Sequence, residues 1–251
     1  MKKSLCILHI IPTLEIGGAE RQLILLAMEQ ARQGNAVHIA MRRVGEFSKL
    51  IDTEFVSIHI IGDYTGLHPY LFLRLQRLIG GLSPDIVQSW LTQMDIVGGI
   101  LAKINGIPWV ATERSSPGGY LKTRGMLKNF LRHIVMAFSS VIVANSASGA
   151  QMWKKKLARS HVVCIGNAID HAGIADRVNY KSRAFPKANN VLLVGRLLES
   201  KGFSKVLAAG LKFPIDVNLT FTLIGSGSPS SDLESQIEKY DELGRLTVIQ
   251  N

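Results

Sequence analysis

Short apolar runs rich in β-branched residues alternate along the chain with longer segments whose apolar residues recur every three or four positions. The short runs predict buried strands, and the longer segments predict amphipathic helices. The predicted strands are residues 5–11, 36–41, 56–60, 85–88, 109–112, 141–144, 162–165, 191–194, 219–224 and 246–249. The predicted helices are residues 19–33, 70–78, 94–104, 120–138, 147–157, 203–211 and 233–240. This alternation predicts an α/β fold in which helices cover both faces of a parallel sheet.

One polar stretch interrupts the alternation and separates seven predicted strands from three. We therefore predict an N-terminal doubly wound domain at residues 1–166, a linker at 167–190 and a partial C-terminal domain at 191–251. A doubly wound unit normally has about five or six strands. The second domain is accordingly expected to be incomplete, with an exposed edge on its last strand.

The composition is that of a globular protein with an excess of positive charge. Of the 251 residues, 47% are hydrophobic and 19% are charged, and the formal net charge is +10. These values exclude disordered, collagen-like and low-complexity chains. The charge favours an anionic partner, which can be nucleic acid, anionic lipid or a phosphorylated small molecule. No apolar run reaches the roughly 18 residues of a spanning helix, so we expect a chain that is soluble or lies on a membrane.

The cysteines and the N-terminus favour a cytosolic protein. Cys6 and Cys164 are too few for a disulfide framework, and both are expected to be reduced residues of the core because each lies in an apolar run. The first residues resemble a signal peptide, but Pro12 and a Gly-Gly turn follow at once, without a cleavage site. We therefore expect a buried first strand there.

Three turns that follow predicted strands have the residues of phosphate-binding turns. Gly17 and Gly18 join the first strand to the first helix, where backbone N–H groups can meet a ligand, although a simple tight turn has the same residues. Arg196 follows the eighth strand and Lys201 begins the next helix, so the two cations can clamp a diphosphate or be solvated surface groups. Gly225 ends the ninth strand in a similar turn.

The positive charge is concentrated in one part of the chain, since residues 114–169 contain nine Lys or Arg and no Asp or Glu. Spacing by four residues predicts a helical stripe of cations beside an apolar face, and a Trp precedes three lysines. This combination is typical of a membrane interface, and also of a solvated helix that buries its Trp. Nucleic acid is disfavoured because there is no aromatic stacking array or zinc spacing. The candidate membrane contacts are Arg124, Lys128, Arg132, Trp153, Lys154 and Lys155.

Five short motifs occur in a fixed order. They are Gly-Gly-Ala-Glu-Arg at 17–21, Pro-Asp-Ile-Val at 84–87, Val-Ala-Asn-Ser at 143–146, Ile-Gly-Asn-Ala-Ile-Asp at 165–170, and Gly-Arg with Lys-Gly at 195–202. In this order the chain resembles the GT-B glycosyltransferases of family 4 over essentially its whole length. The spacing of Arg196 and Lys201 and the Asn-x-Ile-Asp segment are the more specific parts of the resemblance.

The resemblance implies two Rossmann-like domains, of which the second is incomplete in this chain. It also implies a UDP- or GDP-sugar as co-substrate, transfer with retention, and usually no metal or other cofactor. By the same resemblance, Arg196 and Lys201 would stabilise the diphosphate of the donor and leaving group. The implied donor-binding residues are Arg196, Lys201, Gly225, Gly17 and Gly18, and the implied acceptor-binding residues are Glu20, Arg114 and Asn145.

The chain departs from the family pattern at two places. Many members carry a His after the fifth strand, where this sequence has Glu113 and Arg114. Arg114 is expected either to bind an acceptor phosphate or to pair with Glu113. Members also carry two Glu separated by seven residues near the C-terminus; Glu234 and Glu242 have this spacing but lie on the wrong helix. The donor site is therefore expected to be incomplete.

We expect a glycosyltransferase that moves a sugar from a nucleotide sugar to a lipid-linked glycan in cell-surface polysaccharide or lipopolysaccharide synthesis. It is expected in the cytoplasm, peripherally at the inner face of the plasma membrane, and with no nucleic acid partner. One alternative is an inactive acceptor- or membrane-binding module that needs a partner chain. A second alternative is a GT-B nucleotide-sugar epimerase, which would isomerise the donor without an acceptor.

Overall fold

The computed structural model describes residues 4–114, 125–157, 160–169, 189–213 and 219–250. The chain divides into two compact units, Met1–His171 and Ala172–Asn251. Most of the predicted linker, residues 170–188, lies outside the described residues, and the predicted domain bounds remain a prediction.

The first unit has seven strands and five α-helices within its described residues, and each corresponds to an element predicted above. The strands are β1 (Cys6–Thr13), β2 (Ala36–Arg43), β3 (Val56–Ile60), β4 (Ile86–Trp90), β5 (Trp109–Glu113), β6 (Val141–Ala144) and β7 (Val162–Cys164). The helices are α1 (Gly18–Arg32), α2 (Pro69–Leu82), α3 (Leu91–Ile104), α4 (Met126–Met136) and α5 (Ala147–Lys156). The predicted start of α4, residues 120–124, lies outside the described residues.

The seven strands form one parallel sheet in the order β3-β2-β1-β4-β5-β6-β7. Ile7 of β1 pairs with Val37 of β2 on one side and with Ile86 of β4 on the other. The chain therefore winds outward in one direction through β2 and β3, and in the other direction from β4 onward. The point between β1 and β4 is the topological switch point, where the carboxyl ends of the strands open a ligand crevice in such folds.

Helices bury apolar clusters on both faces of this sheet, as expected for strands whose residues are apolar on both sides. Leu8 and Ile10 of β1 pack into a cluster to which α2, α3, α4 and α5 contribute. Ile11 and Ile39 belong to a second cluster, which includes Leu23 of α1. The predicted α/β fold with a doubly wound parallel sheet is confirmed.

Within its described residues the second unit has three strands, which are β8 (Asn190–Val194), β9 (Thr220–Gly225) and β10 (Leu246–Gln250). They are parallel and lie in the order β10-β9-β8. The described helices of this unit are α6 (Phe203–Gly210) and α7 (Ser231–Glu242). Leu193, Leu207 and Leu223 form part of one buried cluster. On the other face of β8, Leu192 is 59% exposed and Val194 is 66% exposed. This face of β8 is therefore open among the described residues, and the incompleteness of the second domain stays a prediction.

The expectation that both cysteines belong to the core is wrong. Both thiols are free, Cys6 is half-buried and Cys164 is exposed. Cys164 is the last residue of β7, which lies at the edge of the described sheet, so its side chain has few neighbours to cover it. None of the helices in the described part of the chain is both long enough and apolar enough to cross a membrane.

Candidate functional site

The turn from β1 to α1 lies at the switch point and leaves backbone open to a ligand. Gly17 is the N-terminal cap of α1 and provides no side-chain cap for the N–H groups of the first turn. Apart from its chain neighbours and its own helix, a Cβ atom on Gly18 would meet no atom of the described residues within 4 Å, whereas one on Gly17 would collide with the carboxylate of Glu20. Glu20 therefore folds back over Gly17, while the backbone at Gly18 stays open.

The connection after β2 holds this turn in place. The N–H of Phe47 donates to the carbonyl of Leu14 at 2.8 Å. Arg43 Nη1 donates to Glu15 Oε1, also at 2.8 Å. A Cβ atom on Gly45 would collide with the backbone of Leu14 and Glu15, so the two connections approach each other as closely as a glycine allows.

Arg114, at the end of β5, lies beside the switch point with one donor group unused. Its guanidinium stacks over the ring of Trp90, 4.6 Å from the ring centroid. Its Nη1 donates to Asn167 Oδ1 at 2.9 Å, and its buried Nε has no hydrogen-bond partner among the described residues. Burial lowers the pKa of Arg114. A half-buried guanidinium whose Nε has no partner among the described residues is suited to bind an anion.

Trp90, on which Arg114 stacks, forms a hydrogen bond with a buried histidine. Trp90 Nε1 donates to His9 Nδ1 at 3.2 Å, and His9 Nε2 contacts Gln30 Oε1 at 2.7 Å. Because the indole can only donate, Nδ1 accepts and the proton of the neutral ring lies on Nε2. Burial lowers the pKa of His9 to about 4, although the bond to Gln30 acts in the opposite direction.

A buried ionic cluster next to Arg114 in the sequence includes Glu113 and joins β5 to α3, α4 and α5. Arg132 Nε lies 2.7 Å from Asp95 Oδ2, and Arg132 Nη1 lies 3.1 Å from Glu113 Oε2. Trp153 Nε1 donates to Glu113 Oε2 at 2.7 Å. Burial raises the pKa of Asp95, and the charge of Arg132 and the hydroxyl of Ser89 oppose that rise. Glu113 thus forms an ion pair with Arg132, and none with Arg114 occurs in the described part of the chain.

This cluster overturns two of the predicted membrane contacts. Arg132 and Trp153 are each only 2% exposed, because they pair with acids that lie far away in the sequence. Lys128, Lys154 and Lys155 are exposed as expected, and Arg124 lies outside the described residues. α4 buries Val135 and Met136 in the core and also has an outward apolar face. Its exposed residues are Met126, Leu127, Phe130 and Ile134, and Phe138 follows them.

The end of β6 and the segment after β7 complete this edge of the sheet. The N–H of Asn145 donates to the carbonyl of Glu113 at 3.2 Å. Gln22 of α1 makes two bonds to Ala168, donating from Nε2 at 2.8 Å and accepting at Oε1 at 2.7 Å. The carboxyl edge of the first unit therefore carries five of the predicted site residues, which are Gly17, Gly18, Glu20, Arg114 and Asn145.

In the second unit, the turns after β8 and β9 lie side by side. The N–H of Gly195 donates to the carbonyl of Ile224 at 3.0 Å, and the N–H of Leu197 donates to the carbonyl of Ser226 at 2.9 Å. A Cβ atom on Gly225 would collide with the carbonyl of Gly195. Gly225 is therefore required for the close approach of these two turns.

Arg196 and Lys201 are both exposed at the carboxyl end of β8. Neither makes an ion pair with any acid in the described part of the chain. Lys201 ends a 3-10 turn, Glu199–Lys201, and Gly202 with φ 72° separates it from α6. The lysine thus precedes the helix instead of lying in its first turn, and both cations are available to an anion.

Comparison with known proteins gives matches over most of the chain. Residues 16–172 match the family model of Glycosyltransferase Family 4. A relative from Campylobacter jejuni, named GalNAc-α-(1→4)-GalNAc-α-(1→3)-diNAcBac-PP-undecaprenol α-1,4-N-acetyl-D-galactosaminyltransferase, is 27% identical over 94% of this chain and 67% of its own length. The similarity to this relative therefore extends through both units.

Two solved structures have a similar fold. HepE from Anabaena, in complex with UDP-glucose, has a TM-score of 0.71 at 18% identity and matches 98% of this chain and 69% of its own. Sucrose-phosphate synthase from Thermosynechococcus elongatus has a TM-score of 0.72 at 14% identity and matches 98% of this chain and 70% of its own. At these identities the likeness shows the fold, which is GT-B.

Proposed function

Because the chain belongs to Glycosyltransferase Family 4, we propose that it transfers a sugar from a nucleotide-sugar donor to a lipid-linked glycan. The observation that carries the proposal is the family match, which spans the turn at Gly17 and Gly18 and the edge with Arg114. The Campylobacter jejuni relative, whose name gives an undecaprenol-linked glycan as its substrate, supports an acceptor of this class. The reaction belongs to cell-surface polysaccharide synthesis.

The donor is a UDP- or GDP-sugar, and its diphosphate lies against Arg196 and Lys201. Two exposed cations beside a glycine turn at the carboxyl end of a parallel strand support this assignment. Arg196 binds phosphate oxygens as a fork and Lys201 as a point charge. Charge develops on the diphosphate as it leaves, so both residues stabilise the transition state of a metal-free, retaining transfer.

The acceptor diphosphate binds at the edge of the first unit. The Nε donor of Arg114, which has no partner among the described residues, favours an anion there. Glu20 and Asn145 lie on the same edge and provide an acceptor and a donor for sugar hydroxyl groups. Trp90 positions Arg114 by stacking, and the ionic cluster of Arg132, Asp95 and Glu113 supports the strand that carries it.

The enzyme acts in the cytoplasm, peripherally at the inner face of the plasma membrane. Support comes from α4, where Leu127 and Phe130 are 71% and 61% exposed beside the exposed Lys128. Such a face inserts apolar side chains between headgroups while cations meet anionic lipid. Lys154 and Lys155 add charge at the end of α5.

Thermal unfolding in the presence of nucleotide sugars tests the donor assignment. A UDP- or GDP-sugar is expected to raise the melting temperature of the wild type, because a ligand that binds the folded state stabilises it. Arg196→Ala and Lys201→Ala are expected to abolish the shift. Lys205→Ala, which removes an exposed lysine four residues further on, is the matched control and keeps it. No shift with any nucleotide sugar would remove the support for the enzyme.

Two further outcomes would favour other functions. Binding to anionic vesicles without any donor binding would favour an inactive module that needs a partner chain, an outcome for which the exposed Leu192 and Val194 of β8 provide a surface. Isomerisation of the donor without an acceptor would favour an epimerase.

A further inference from the structure

Three aromatic rings stack together between β3 and α2. The rings of Tyr64 and His68 have centroids 5.0 Å apart and planes 17° apart. Tyr70 lies 5.8 Å from Tyr64 and 5.6 Å from His68, with planes 19° and 20° apart. The three centroids thus form a triangle, and Tyr70, which is 58% exposed, brings this aromatic stack into contact with solvent.

The loop that carries the stack is fixed by contacts from two other elements. Gln93 Nε2, in α3, donates to the carbonyls of Tyr64 and Gly66. Arg42 Nη1, at the end of β2, donates to the same carbonyl of Tyr64 at 2.9 Å. Gly62, with φ 97°, lies directly under the ring of Tyr64, which a Cβ atom would strike. A preorganised aromatic surface loses little entropy when a ligand binds.

The N-terminus of α2 fixes the other two rings. His68 is the N-terminal cap of α2, and its Nδ1 accepts from the N–H of Tyr70 at 3.3 Å. In the neutral ring the proton therefore lies on Nε2, which remains a donor. The stack thus presents ring faces together with two phenol hydroxyls and one imidazole N–H.

The aromatic stack lies on the same edge of the sheet as the acceptor residues. All strands of the first unit are parallel, so the loop after β3 and the turn after β1 share the carboxyl edge. A chain of ion pairs also links them, since Arg43 contacts Glu15 at 2.8 Å and Asp63 at 3.6 Å. Asp63, next to Tyr64, is 53% exposed and can accept from a hydroxyl group.

We propose that Tyr64, His68 and Tyr70 form a carbohydrate subsite that binds a pyranose ring of the glycan acceptor. This inference rests on the proposed function and adds the place where the acceptor sugars bind. The C–H bonds on one face of a pyranose carry partial positive charge and pack on the negative face of an aromatic ring. The hydroxyl groups at the sugar's rim bond to the phenols, to the imidazole N–H and to Asp63.

Binding of a soluble disaccharide tests the subsite without donor, lipid or turnover. The probe is the methyl glycoside of α-1,4-linked di-N-acetylgalactosamine, followed by saturation-transfer NMR at increasing concentration. Tyr70→Ala is expected to weaken binding by about five-fold or more, and Tyr70→Phe by less than about two-fold because the ring face remains. Phe55→Ala is the matched control, since Phe55 is 59% exposed at the other end of β3 and its removal should change nothing.

Several results would overturn the subsite. The first is that the wild type does not bind the disaccharide. The second is that all variants bind it equally well, and the third is that Phe55→Ala also loses disaccharide binding. Loss of binding to phosphatidylglycerol vesicles in Tyr70→Ala, with disaccharide binding intact, would make the stack a membrane contact. Loss of UDP binding in that variant would make it a nucleobase platform. A donor-induced melting shift that persists through these results would leave the proposed function standing.

Discussion

At the scale of single residues, the buried pairing of Arg132 with Asp95 and Glu113 has the largest expected effect on stability. Arg132→Met would leave two carboxylates buried without their cation, and the free energy of unfolding should fall by about 3–5 kcal/mol. Urea denaturation measures this change. Lys128→Met, on an exposed position of the same helix, should change it by less than about 0.5 kcal/mol. Equal midpoints for the two variants would contradict the role of the cluster.

His9 makes stability depend on pH. Its folded pKa of about 4 lies below the ordinary value of 6.5, so the folded chain favours the neutral ring. The lowered pKa of His9 therefore has no cost to the free energy of unfolding above pH 6.5, where the ring is neutral in both states. As the pH falls toward 4, the unfolded chain binds a proton that the folded chain does not, and stability falls by about 3 kcal/mol.

His9→Gln removes this titration while keeping a side chain that can bond to Trp90 and Gln30. Urea unfolding at pH 7 and pH 4 should therefore show a smaller loss of stability in the variant than in the wild type. His161→Gln, at an exposed position, serves as the control and should keep the wild-type loss. Identical losses in wild type and His9→Gln would show that His9 is not the group responsible.

Sequence reasoning placed Arg114 at the end of β5, where its binding role stays a prediction, but misassigned Arg132 and Trp153. The spacing of cations in α4 and of apolar residues beside them indicates an amphipathic helix, but periodicity alone does not say which face is buried. The partners of Arg132 lie 37 and 19 residues away in the sequence, so no local pattern reveals them. The available signal was an acid inside the apolar α3 and another at the end of β5, since buried acids require a partner.

At the scale of elements, the outward apolar face of α4 predicts vesicle binding. The wild type should sediment with phosphatidylglycerol vesicles more than with phosphatidylcholine vesicles, because Lys128 meets anionic headgroups beside the inserted side chains. Phe130→Glu should reduce the bound fraction several-fold. Phe213→Glu, which changes an exposed aromatic residue of the second unit, is the matched control. Equal binding of both variants would mean that α4 does not contact the bilayer.

The order and type of the elements were predictable, and their ends less so. β3 and β6 occupy the predicted residues, because β-branched runs between polar turns have clear limits. α3 begins three residues earlier than predicted, at Leu91, which adopts φ 69°. A left-handed leucine is unfavourable in isolation, and the junction of β4 with α3 at the switch point imposes it. Local propensity gives no indication of such a conformation.

At the scale of the whole molecule, the family and the fold were predictable because several short motifs occur in a fixed order. The contacts that shape each binding edge were not, since they join distant segments. Arg114 stacks on Trp90, 24 residues earlier in the numbering, and Gln22 bonds to Ala168. Motif residues such as Gly17 and Arg196 thus predict which turns bind ligands, and the packing around them determines how those turns are held.

The proposed activity of this chain is transfer of a sugar from a nucleotide sugar to a lipid-linked acceptor. Its most direct test incubates the protein with radiolabelled UDP- and GDP-sugars and an undecaprenyl-diphosphate-linked N-acetylgalactosamine glycan, and measures the label in the lipid extract. We predict labelled lipid with one of these donors. In Arg196→Ala the rate of labelling should fall about a hundred-fold, because the variant lacks the positive charge that stabilises the leaving diphosphate. If protein that unfolds cooperatively at its usual temperature gives no labelled lipid with any donor, the proposed sugar transfer is wrong.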